Sequence, residues 1–225
     1  MISIKVCKLR ILYLSVVALT LLFFVKADTF ADDDYEVKAV KKKLKSFDVT
    51  LSNSDISEII ATVGKSFLGV EYAAGTLDKD VNEEKLVIMV SGLDCVTFVE
   101  NVLAISNTIK KGKTDFDSYK SELQKIRYRN GEINGYPSRL HYFTDWIYDN
   151  QEKGLIRDIT EEIGGEPYDK RINFMTTHTD AYKQLQGNSD YINEMETVEE
   201  NMNKRSLYYI KKAGVDDYYD KLQTG

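Results

Sequence analysis

Gly92-Leu93-Asp94-Cys95-Val96-Thr97-Phe98-Val99-Glu100 sits where two kinds of local order meet. The apolar run Leu86 to Val90 before it has the length of a buried strand. After it, Val96, Val99, Val102, Leu103 and Ile109 recur at near-helical spacing. This predicts a helix that begins close to Asp94 and ends near Gly112. Asp94 fits an N-cap, which puts Cys95 in the first turn, where unpaired N–H groups and the helix dipole favour an anion. A thiolate is such an anion, and this placement is one way to make a cysteine nucleophilic. The neighbouring Asp94 carboxylate opposes that effect. Two readings of Cys95 therefore stand: an activated nucleophile, or a small thiol packed beneath the helix.

The N-terminus bears on that choice. Lys5, Lys8 and Arg10 open the chain, Ile11 to Val25 is apolar, and Thr29-Phe30-Ala31 supplies small residues two apart. The layout is that of a secretory signal peptide over 1–31, cleaved after Ala31, with an apolar run too short for a stable membrane anchor. Cleavage removes Cys7 and leaves Cys95 as the single cysteine of a chain exported to the periplasm or cell envelope. Such a thiol has no internal disulfide partner, and in an oxidising compartment it points to reactivity. The whole chain carries a net charge of −6; residues 1–31 hold four basic residues and one acidic, +3, so the remainder is about −9. That acidity, without a basic stripe, argues against nucleic acid as a partner. The roughly 190 remaining residues are enough to bury a core, and only two prolines in the chain fit a largely helical fold.

Residues 32–54, acidic and then lysine-rich, read as a flexible lead-in. Asp55 to Leu68 reads as an amphipathic helix with Ile56, Ile59, Ile60, Val63 and Phe67 on one face, a capping-box spacing at Asp55 and Glu58, and Gly69 as its stop. Phe116 to Arg127 is a further helix. Past the turn-rich stretches Tyr128 to Gly131 and Gly135 to Ser138, Ser138 can cap a helix from Leu140 to Glu152. Ile172 to Met175 and Leu207 to Ile210 read as short strands, Thr179 to Leu185 and Tyr191 to Lys204 as helices. The class is α+β, and three short strands cannot close a barrel.

A catalytic cysteine needs a base and an orienter for that base. The chain has two histidines. His141, beside Arg139 at a helix start, suits substrate contact or the role of base; His178 suits a helix cap. Tyr128, Tyr136, Tyr142, Phe143 and Trp146 either stack on a sugar ring or fill the core. Arg127, Arg129 and Arg139 are able to pair with a ligand carboxylate. No paired-histidine or second-cysteine motif offers a metal site, no glycine loop offers a phosphate cradle, and no cofactor is implied.

Three segments carry a resemblance: Leu93 to Asn101, Ile126 to Gly131 and Ser138 to Ile147. Together they resemble the N-acetylmuramoyl-L-alanine amidase-like branch of the NlpC-type cysteine peptidases, long catalogued as a domain of unknown function (number fourteen-sixty). The resemblance covers roughly residues 55–225. It implies the helical N-terminal part of a papain-like NlpC-type domain acting on cell-wall fragments. The reaction implied is hydrolysis of the amide between the muramic acid lactyl group and L-alanine, with Cys95 as nucleophile through a thioester. The implied substrate is a muropeptide, contacted by Asp94, Tyr128, Arg129, Arg139, His141 and Tyr142. In that family the catalytic histidine lies on a β-barrel strand further along the chain, and Lys221 to Gly225 resembles the lead-in to it. The barrel portion is thus expected to be mostly missing, the domain over 55–225 to be C-terminally truncated, and the chain to lack its general base. The other readings are a stem-peptide endopeptidase, a non-catalytic muropeptide-binding module, or a complete enzyme with His141 as base.

Overall fold

The structure, a computed structural model, describes residues 34–78, 80 and 83–222. The expected signal peptide over 1–31 lies outside the described residues, as do residues 223–225 of the expected barrel lead-in. Residues 34–45, expected within a flexible lead-in, instead form helix α1. The reason is a single apolar face: Val40 and Leu44, one turn apart, are fully buried in the main core.

Helix α2 spans Ile56–Lys65 and buries Ile59 and Val63 by the same spacing. Asp55 is its N-cap, but no side chain bonds there, so the capping box expected at Asp55 and Glu58 does not form. Helix α3, Cys95–Lys110, packs between α2 and helix α4, Phe116–Arg127. Val102, Ile105 and Ile109 of α3 meet Tyr119, Leu123 and Ile126 of α4 in the core. Helix α5, Phe143–Glu152, adds Trp146, and Asn150 donates to the Ile126 and Trp146 carbonyls at 2.9 Å each. It starts at Tyr142 as N-cap; Ser138, expected to cap it, bonds Gly135 and Asn134 in the preceding turn.

A second, smaller cluster joins Tyr136, Met175, Leu185 and Met195 beneath helix α7, Ser189–Asn203. Strands are short. β1, Glu71–Tyr72, pairs in parallel with β2, Gly92–Leu93, with Glu71 opposite Gly92. β3, Glu166–Pro167, pairs antiparallel with β4, Tyr208–Tyr209, which lies within the strand expected at Leu207 to Ile210. The class is α+β, and among the described residues no barrel closes.

Two expected strands are not strands, for one physical reason. The extended segment before β2 finds side chains where a ladder would supply partners. Tyr128 Oη donates to the Lys85 carbonyl at 3.0 Å, Arg127 Nη1 to Val87 at 2.5 Å and Asn101 Nδ2 to Met89 at 3.1 Å, while Glu36 accepts from Val90 N at 2.7 Å. Likewise Asn203 brackets Ile172 through both its N–H and its carbonyl at 2.8 Å, and Met175 N is held by Tyr142 and Glu199. Phe174–Thr177 therefore closes as a short helix, α6. Thr179 to Leu185, expected as a helix, is a 3-10 turn at Thr179–Ala181 followed by turns.

Candidate active site

Asp94 is the N-cap of α3, and the cap is reciprocal. Its Oδ1 accepts from Thr97 N at 2.8 Å, and Thr97 Oγ1 accepts from Asp94 N at 2.9 Å. Phe98 N closes on the Asp94 carbonyl at 2.9 Å. Among the described residues the first-turn N–H groups left over are those of Cys95 and Val96, the groups that favour a nearby anion. The Asp94 carboxylate, which would oppose a thiolate, is directed onto Thr97 N and Oγ1.

The Cys95 thiol is exposed. It lines a pocket of about 260 Å³ with Phe67, Val70, Tyr72, Leu93 and Phe98 as its apolar surface and Glu71 and Asp94 as its charged groups. Phe67 and Phe98 meet edge to face, ring centroids 5.9 Å apart, which stiffens the floor. Tyr72 stands 75% exposed at the rim, opposite Leu93 in the β1–β2 pair. Phe67, Val70, Tyr72 and Phe98 lie in the turn after α2, a loop, β1 and α3, and no sequence spacing marks them as one surface.

The other site candidates are held elsewhere. Tyr128 is fully buried and its hydroxyl donates to Glu84 Oε1 at 2.7 Å. Backbone pairing sets Tyr128 opposite Arg139, whose Nη2 donates to Asp78 Oδ1 at 2.6 Å and whose Nε lies 3.3 Å from Glu84 without hydrogen-bond geometry. Burial raises the Glu84 carboxyl pKa, against the pull of Arg139. Arg129 Nη1 donates to Asp145, whose other oxygen accepts from Arg205, both at 2.7 Å. Tyr142 donates to Glu199 Oε1 at 2.5 Å and accepts from Met175 N at 2.9 Å. Asp78 and Glu84, the carboxylates that hold Arg139, carry no motif, and no spacing in the sequence marks them.

His141 Nε2–H donates to the Tyr136 carbonyl at 2.8 Å, and its ring packs 4.1 Å from the Tyr136 ring. Burial, then the nearby Arg139 charge, pushes its pKa down to about 3, so the imidazole is neutral at any physiological pH. His178 Nδ1 lies 3.0 Å from the Phe174 carbonyl, with its ring stacked on Phe174. Of the aromatic set, Tyr128, Tyr136 and Trp146 are core; Phe143 is 52% exposed and stacks on Trp146.

A family model described as AmiA-like, N-acetylmuramoyl-L-alanine amidase-like, matches residues 62–225. The chain belongs to that family. This AmiA-like chain is similar to the crystal structure of an N-acetylmuramoyl-L-alanine amidase from Bacteroides uniformis, with 35% identity and a TM-score of 0.65. The match covers 71% of this chain and 66% of that one, so the chain spans just under two thirds of that relative's length. A DUF1460 protein from Legionella pneumophila, 20% identical, shares the fold with a TM-score of 0.54, over 85% of this chain and 67% of that one. No curated protein matches the AmiA-like chain.

Proposed function

We propose that the protein hydrolyses the N-acetylmuramoyl-L-alanine amide of peptidoglycan fragments, with Cys95 as nucleophile. One observation carries the reading: an exposed thiol in the first turn of a reciprocally capped helix, beside an apolar pocket, in a chain of the AmiA-like family. Sγ attacks the lactyl carbonyl carbon, and the oxyanion that forms lies against the free N–H groups of Cys95 and Val96. Collapse expels the alanine amine with the proton that the thiol gave up and leaves a thioester, which water hydrolyses to the lactyl carboxylate and the free thiol. The apolar pocket suits the methyl-bearing sugar side of the bond, because its charged groups, Glu71 and Asp94, would repel an acidic stem peptide. The His141 pKa is pushed down to about 3, and among the described residues neither His141 nor His178 lines the Cys95 pocket, so this reading assigns the base to neither. The layout of residues 1–31 supports export, with the reaction at the cell envelope.

That neither histidine lines the Cys95 pocket among the described residues favours one second reading, a module that binds muropeptides without cleaving them. Incubation of the chain with purified muropeptides, read by mass spectrometry beside Cys95→Ala, separates the two. The amidase reading expects intact stem peptide released at a rate that falls at least ~10³-fold in Cys95→Ala. Shortened peptides would indicate an endopeptidase. Saturable binding without release, unchanged in Cys95→Ala, would overturn the amidase reading in favour of the binding module.

A further inference from the structure

We propose that Glu36 is a positioning residue for Cys95. From α1, which precedes the family-matched residues 62–225, it fixes the Val90–Ser91 bend that aims β2 and the first turn of α3. Glu36 is 2% exposed. Its Oε2 accepts from Val90 N at 2.7 Å and from Ser91 N at 3.3 Å, and its Oε1 takes the Ser91 hydroxyl. Among the described residues no cation pairs with it. Among the described residues every donor to it belongs to two consecutive residues.

A buried carboxylate is costly and persists where donors converge on it. Glu36 is not needed to attach α1, which Val40 and Leu44 already anchor in the core. What it does is supply an acceptor to two N–H groups that no ladder reaches. Asn101, on α3, donates to the neighbouring Met89 carbonyl at 3.1 Å. The bend is thus bracketed between α1 and α3.

The chain after the bend has little slack. A Cβ on Gly92 would come within 3.0 Å of the Ala73 side chain, and Ala73 N donates to the Leu93 carbonyl at 3.1 Å. Glu71 faces Gly92 and Tyr72 faces Leu93. A displaced bend therefore moves β2 against β1, and with it the wall that sets Tyr72 across from Cys95. The inference rests on the proposed role of Cys95, but it can be tested without turnover.

The full chain, Glu36→Ala, Glu36→Gln and Val40→Ala are compared by peptide-resolved hydrogen exchange and by Cys95 alkylation. The alkylation reagents are small iodoacetamide and bulky, apolar N-phenylmaleimide. Glu36→Ala is expected to speed exchange across residues 90–95 by at least ~10-fold relative to α4. It should also lower the ratio of N-phenylmaleimide to iodoacetamide rates about fivefold, since only the larger reagent depends on the pocket wall. Glu36→Gln keeps one acceptor oxygen and should recover most of both. Val40→Ala leaves a cavity under α1 and lowers the melting temperature but should spare both readouts. Equal changes in Val40→Ala and Glu36→Ala at matched melting temperature, or no change in Glu36→Ala, would overturn the proposal. Should Glu36→Ala not fold, Ser91→Ala, which removes the hydroxyl on Glu36 Oε1, is expected to speed exchange across residues 90–95 where Val40→Ala does not, and no such difference would overturn the proposal. Failure of the amidase reading alone would leave both readouts intact.

Discussion

The thiol of Cys95 stands exposed over Phe67, Val70, Leu93 and Phe98, whereas the guanidinium of Arg139 is 5% exposed and held between Asp78 and Glu84. Both regions carry polar groups with catalytic potential, and the chain treats them in opposite ways. Around Cys95 the capping groups satisfy Thr97 N, the Cys95 and Val96 N–H groups have no partner among the described residues, and the cysteine is exposed. Around Arg139 the polar groups find protein partners: Tyr128 on Glu84, Arg129 on Asp145, His141 on Tyr136, Tyr142 on Glu199. The first arrangement leaves chemistry available, while the second uses it to join segments far apart in sequence. Asp78 and Glu84 come from the loop between β1 and β2, Arg139 from the turn before α5, and Glu199 from α7.

The sharpest way to break this contrast is Arg139→Ala. If the cluster is structural, the substitution leaves Glu84 buried without its cation, a situation that costs on the order of 3–5 kcal/mol. Urea denaturation at neutral pH measures it, and any loss of activity should follow the loss of folded protein. A loss under ~1 kcal/mol, with KM raised in a folded variant, would instead place Arg139 at the substrate.

How far such a contrast can be seen in a sequence depends on what satisfies the backbone. Helices α2, α3 and α4 announce themselves because their partners are local: Ile59 with Val63, and Ile105 with Ile109, fall at turn spacing, with Asp55, Asp94 and Asp115 at the caps. The position of Cys95 in a first turn was legible for the same reason. Leu86 to Val90 and Ile172 to Met175 have the composition of strands, yet their hydrogen bonds end on Glu36, Asn101, Arg127, Glu199 and Asn203. Those donors and acceptors lie 12 to 54 positions away along the chain, and no periodicity encodes them. Helix α1 escaped for a related reason: its charged, lysine-rich surface hides a stripe as narrow as Val40 and Leu44. The pocket by Cys95 was illegible because its liners come from separate segments, joined by the β1–β2 register and the Phe67–Phe98 contact.

A second, smaller effect sharpens the contrast through pH. His141 has an ordinary pKa of 6.5 and a folded value of about 3. Below pH 6.5 the unfolded chain takes up a proton that the folded chain refuses. The stability from keeping this ring neutral is therefore complete above 6.5 and is lost as pH falls toward 3. Between about pH 7 and pH 5.5 the expected loss is on the order of 1 kcal/mol. His141→Gln keeps an N–H for the Tyr136 carbonyl without the titration, so its urea midpoint should be flatter over that range. An equally steep midpoint in His141→Gln would mean that His141 is not held neutral by its surroundings, and the imidazole would return as a candidate base.

The smallest change belongs to the open side and tests the contrast from its other end. Tyr72 is 75% exposed at the pocket rim, with no hydrogen bond from its hydroxyl to another described side chain. Removing an exposed ring that supports no buried contact should leave stability within about 0.5 kcal/mol. If the ring covers the apolar side of a bound sugar, Tyr72→Ala instead weakens binding by roughly 3- to 10-fold in KM while kcat holds, because stacking of this kind acts on ground state and transition state alike. Stability is read by melting temperature and KM by release of stem peptide over a range of muropeptide concentrations. A fall in kcat at constant KM would move Tyr72 from the binding surface to the geometry around Cys95, the wall that the Glu36 bracket holds in place. A large loss of stability would mean that the rim is built like the Arg139 cluster, and the division between an open and a closed region would not hold.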